Sequence, residues 1–302
     1  MKIKNNSEFS LKPLKIIFCL SFLASVILRC LQMAKYIDPN TGFLTGGEFF
    51  YILMCIIIFG ACAAFSVMSF LSRDGAKIDL QTVKSPVAGA ATLVLAISLL
   101  YDSLDSLFSS FVNLSGVLNL RNIKELMSTG SLPLAIQSIF AFFSCIFFFI
   151  MAADFFKGRA AASRFRILAL APVGWTAFRL IHRFIRQISF VEVSDLFLEL
   201  IMLGFMVIFF LAFAQVNSGI YSEGFTWRIA GIGSSAALIA STLSVSRLIF
   251  TFVNNGVYIN PEHPFCFADF AFSIFALVLI TELIKNIPDS ETIETDTENE
   301  VV

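Results

Sequence analysis

Charge is scarce in this chain. Only 14% of its 302 residues are Asp, Glu, Lys or Arg, against roughly 25% in a soluble domain. Histidine is scarcer still: His182 and His263 are the only two. There is no H-E-x-x-H and no His cluster, so metal catalysis lacks ligands. The six cysteines are Cys19, Cys30, Cys55, Cys62, Cys145 and Cys266, and no two form a C-x-x-C pair. They read as small buried hydrophobes, not as disulfides or metal ligands. No cofactor and no nucleic-acid partner is expected.

Two enzyme readings fail on missing residues. GIGSSA (231–236) has the G-x-S-x form of an intramembrane serine protease, which needs a His on a neighbouring helix. His182 is the sole candidate. The small run Gly231, Gly233, Ser234, Ala237 and Ser241 fits close helix packing better. YDSLDS places Asp102 and Asp105 three apart, but the full acidic motifs of membrane prenyl- and phosphatidyl-transferases are absent. No enzymatic activity is expected.

What fills the chain instead is apolar. Hydrophobic residues make up 57% of it, including 36 Phe. A helix crosses ~30 Å of hydrocarbon in about 20 residues. Eight stretches of that kind are legible: roughly 14–34, 49–71, 86–109, 132–156, 166–187, 195–216, 226–252 and 265–286. Continuous apolar runs exclude the alternating pattern of a barrel. The reading is an all-α integral membrane protein with eight transmembrane helices in four antiparallel hairpins, partnered by the lipid bilayer. Residues 1–13 form a basic cytoplasmic start, 14–287 the membrane domain, and 288–302 an acidic tail expected to be disordered. The first segment lacks an A-x-A-like cleavage site and reads as a permanent anchor. Within 109–133, residues 117–129 have helical spacing and read as a helix on the outer surface.

Basic residues set the orientation. With the N-terminus inside, the inner segments hold Lys2, Lys4, Lys12, Lys15, Arg73, Lys77, Lys84, Lys157, Arg159, Arg164, Arg166, Arg228 and Lys285. The outer ends hold only Lys35, Arg121, Lys124, Arg183 and Arg186. Both termini are therefore expected in the cytoplasm.

The charges inside the segments are the chemistry worth weighing, because each costs at least ~2.5–3.5 kcal/mol to insert. Arg179, His182, Arg183 and Arg186 form a stripe on one face of segment five. Arg179 is the deepest base, ~20 Å above the inner end. APVG (171–174), about two turns earlier, is the one obvious Gly/Pro break. Three hairpins also carry a base on the first helix and an acid on the second: Arg29 with Glu48, Arg179 with Glu199, Arg247 with Asp269. Two readings follow. In one, these pairs only fix helix register, and the protein is structural or accessory. In the other, Arg179, His182, Arg183 and Arg247 face Tyr101, Asp102 and Asp105 across a polar chamber that takes a small anionic ligand. The protein is then transporter-like or ligand-sensing.

YIDPNTGF, PVGWTAFRLIHRFIRQISFVEVSD and SVSRLI together resemble a family of multi-pass proteins of bacterial inner membranes. The resemblance implies one membrane domain over most of the chain. It carries over no activity and no functional residue.

Overall fold

The computed structural model describes residues 6–36, 46–71, 84–115, 130–158, 164–185, 193–219, 225–253 and 265–285. Among these there is no strand. The long helices are α1 (Asn6–Tyr36), α2 (Glu48–Leu71), α3 (Pro86–Ser115), α4 (Ser131–Lys157), α5 (Ala171–Ile185), α6 (Val193–Asn217), α7 (Phe225–Val253) and α8 (Phe267–Lys285). The expected surface helix at 117–129 and the tail 288–302 lie outside the described residues, as do Arg186 and His263. The first helix starts at Asn6 and runs through Pro13, so it takes in most of the stretch expected as a basic lead.

Local chemistry explains the ends. Ser85 caps α3: its Oγ accepts the Ala88 N–H at 3.2 Å, and Pro86 fills the first helical position, where no N–H is needed. α4 stops at Gly158, whose φ of 63° is left-handed and whose N–H donates to the Asp154 carbonyl at 2.7 Å. Glu48 in the first turn of α2 suits the positive end of the helix dipole.

Six helices contain spans long and apolar enough to cross a membrane: Pro13–Tyr36, Glu48–Phe70, Pro86–Phe111, Ser131–Lys157, Leu196–Asn217 and Arg228–Phe252. The fifth segment corrects the sequence reading. Within the described residues 164–185 it is not one continuous α-helix but a 3-10 turn, Leu168–Leu170, followed by the 15-residue α5. Over its described residues α5 reaches ~22 Å at 1.5 Å per residue, against a hydrocarbon core of ~30 Å. Pro172 sits in its first turn, where it starts the helix and kinks nothing. The Pro172 carbonyl instead accepts the Thr176 hydroxyl at 2.9 Å.

Helices α3, α4, α5, α6, α7 and α8 pack in that order, and α8 closes back on α3. The α1–α2 pair lies outside this ring, against α7. That makes α7 the central helix: 89% of its most apolar stretch is buried, against 28% for α1 and for α2. Its small residues allow this. A Cβ on Gly231 would sit 2.8 Å from Ser69 Cβ of α2, and one on Gly233 would sit 2.8 Å from the Phe209 ring of α6. Hydroxyls along α7 turn back on their own helix: Thr242 donates to Leu238, and Ser244 to Ala240.

Aromatic rings fill the middle of the six-helix ring. Phe147 and Phe148 of α4, Trp175 of α5, Phe209, Phe210 and Phe213 of α6, and Phe272 and Phe275 of α8 are all buried. Edge contacts dominate, as ring quadrupoles prefer, with Phe148–Phe275 and Phe210–Phe272 at 5.3 Å. The outside is apolar too, including Ile16, Leu20 and Leu23 of α1 and Phe108 and Phe111 of α3. Such a shell matches lipid.

Candidate functional site

The ion cluster stands on the aromatic plug, one helical turn beyond Trp175. Residues late in α3, α5 and α7 meet residues early in α4, α6 and α8 there. Each ring helix supplies at least one: Asp102, Gln137, Arg179, Glu199, Arg247 and Asp269 in chain order.

Arg179 is the hub. Its Nη1 and Nη2 donate to Asp269 Oδ1 and Oδ2 at 2.5 and 2.8 Å, a bidentate fork. α5 and α8 are not neighbours in the ring, so this pair spans its centre. Arg179 Nη2 also lies 3.7 Å from Glu199 Oε1, and its guanidinium sits 5.8 Å from the centre of the Trp175 ring. Both partners are buried.

Glu199 is shared. Arg183, one turn beyond Arg179 on the same face of α5, brings Nε to 2.9 Å from Oε1. Arg247 of α7 places Nη2 3.4 Å from Oε2. Three guanidiniums therefore converge on a carboxylate that is fully buried. Arg247 is only 8% exposed, and Glu199 is its one acid among the described residues.

Asp102 differs from both other acids. It is half-buried, and its Oδ2 accepts the Trp175 indole N–H at 2.8 Å and the Gln137 amide at 3.4 Å. Both donors are neutral. Gln137 also donates to Ser106 Oγ at 3.4 Å, while its own Oε1 is buried with no hydrogen-bond partner.

His182, on α5 between Arg179 and Arg183, bonds to the start of α4. Its Nδ1 lies 3.0 Å from the Gly130 carbonyl at the start of α4. A carbonyl only accepts, so Nδ1 carries the hydrogen here.

Several expected placements need correcting. Tyr101 and Asp105 are exposed on the outside of α3 and do not face the cluster. Tyr101 and Asp105 are four apart and share the exposed face, while Asp102 is turned about 100° from Tyr101, towards the bundle. Asp269 takes Arg179 rather than Arg247, and Arg247 goes to Glu199. Glu48 is exposed, whereas Arg29 is buried and donates to Gln32 Oε1 at 2.6 Å. Trp175 was missed. Its signal was its place one turn before Arg179 on the same face. Gln137 of segment four also belongs here.

No family model matches the chain, and neither a curated protein nor a solved structure matches it.

Proposed function

We propose that this is a transporter-like or ligand-sensing protein of a bacterial cytoplasmic membrane, with a small-anion chamber at the outer end of its bundle. In this reading all eight helices cross as four antiparallel hairpins, α5 completes its crossing through the 3-10 turn before it, and both termini are cytoplasmic. The basic inner segments support that orientation. A short, interrupted helix carrying two of the three cluster arginines suits a site of this kind.

One observation carries the proposal: Arg247. A register device needs one acid for each base, and Arg179 with Asp269 meets that description. Arg247 does not. It is buried, it has five N–H donors, and it receives one oxygen at 3.4 Å from a carboxylate shared with two other arginines. A carboxylate or phosphate ligand would offer the two-oxygen match that guanidinium prefers.

The fork between Arg179 and Asp269 favours the second reading, a structural or accessory protein whose charges only hold helices together. The two part on ligand response. Ligand binding to the folded state adds RT ln(1 + [L]/Kd), about 2.7 kcal/mol at a hundred times Kd. Titrating acetate and phosphate into the purified protein should raise the unfolding midpoint saturably, and Arg247→Gln should lose that rise. An equal response in both proteins, or none in either, would leave only the structural reading.

A further inference from the structure

We propose that Asp102 is the proton-exchanging group of the cluster, taking a proton from the outer water as a neutral carboxylic acid and returning it as a carboxylate. Glu199 and Asp269 each have an arginine at ion-pair distance, and among the described residues Asp102 has none. Both Nη atoms of Arg179 are committed to Asp269. What reaches Asp102 is an indole N–H and a long amide contact, both on Oδ2. A carboxylate in a membrane with only neutral donors on one oxygen is poorly stabilised.

The neighbour supplies the second half of the geometry. Gln137 Oε1 is a buried acceptor that receives no hydrogen bond among the described residues, and the Nε2 of the same amide lies 3.4 Å from Asp102 Oδ2. A half-turn of the amide about its last torsion would exchange the two atoms and set Oε1 against that oxygen. A proton on Asp102 is then the donor this acceptor lacks. Protonation forms one O–H bond on Asp102, and the O–H donates to Gln137; deprotonation reverses both. Asp102 is itself only half-buried, and Asp105, three residues along α3, is exposed. The charged and titratable groups around Asp102 are Arg179 from α5, Asp269 from α8 and the Cys266 thiol just before α8; α4 presents the neutral Gln137. Proton exchange here stands whether or not an anion binds at Arg247.

The test is infrared spectroscopy of the full chain in lipid nanodiscs across pH. A protonated-carboxyl C=O band should be present at low pH, fade as pH rises, and shift when the aspartates carry ¹³C in their carboxyl groups. It should vanish in Asp102→Asn and persist in Asp105→Asn. Trp175→Phe removes a donor to the charged form, so the band should persist to higher pH in that variant. This arm decides the matter even if Asp102→Asn does not fold. Absence of an aspartate band at every pH, its survival in Asp102→Asn, or an unmoved midpoint in Trp175→Phe would overturn the proposal.

Discussion

Three acids at nearly one depth have three different environments, and the differences come from single atoms. Asp269 has both oxygens on one guanidinium, Glu199 is divided among three, and Asp102 meets neutral donors. Removing one partner of a buried pair leaves an uncompensated charge, at about 3–5 kcal/mol. Asp269→Asn should therefore lower the denaturation midpoint strongly, because Arg179 loses its fork and keeps only the 3.7 Å contact to Glu199. A loss below about 1 kcal/mol, the scale of an exposed pair, would show that water reaches Arg179. Of the three expected pairs, Arg179 with Glu199 is present at 3.7 Å, but the fork to Asp269 and the pairing of Arg247 with Glu199 were not legible in the sequence. Spacing along one helix reveals a shared face, and it correctly grouped Arg179 with Arg183. It does not reveal which helix stands opposite, and Asp269 lies 90 residues from Arg179.

At the scale of elements, α5 is the departure from a regular bundle. Its neighbours were legible because a continuous apolar run bounded by polar residues has few alternatives: 132–156 was expected and Ser131–Lys157 is found. Segment five has an apolar run of the same length, but Pro172 lacks the N–H that would continue an α-helical hydrogen-bond ladder from the preceding turn, and a 3-10 turn, Leu168–Leu170, stands there instead. The helix accordingly starts there. Contact with α4 then depends on Gly174, since a Cβ at that position would collide with the Phe140 ring, which stacks on Phe178 at 5.5 Å. Gly174→Ala should cost about 1–3 kcal/mol through overpacking. Chemical denaturation of the variant in detergent measures this directly. Unchanged stability would mean that α4 and α5 separate freely.

For the whole molecule, the ring of six helices with an outlying α1–α2 pair has a consequence for topology. The cluster lies near the ends of α5 and α7 and the beginnings of α6 and α8, so all of these ends must face the same side of the membrane. Thiol-reactive probes of opposite permeability, applied to single cysteines placed at residues 160 and 222, should label both sites from the cytoplasm. Labelling of the two from opposite sides would contradict the hairpin arrangement, and labelling of both from outside would contradict the reading of basic residues. Composition made the membrane class legible, because 57% hydrophobic residues cannot be covered by 14% charged ones. The closure of the ring was not legible, because α8 on α3 is a contact between segments far apart in the chain.

The central claim is that the cluster holds charge for a ligand and not only for register. It is tested most directly by the unfolding midpoint of Arg247→Gln beside those of wild type and Asp269→Asn, without added anion. The account predicts that Arg247→Gln stays close to wild type, or rises above it, while Asp269→Asn falls, since residues kept for function are often held at some cost to stability. A fall in Arg247→Gln as large as that in Asp269→Asn would make Arg247 a structural partner of Glu199 and contradict the anion chamber.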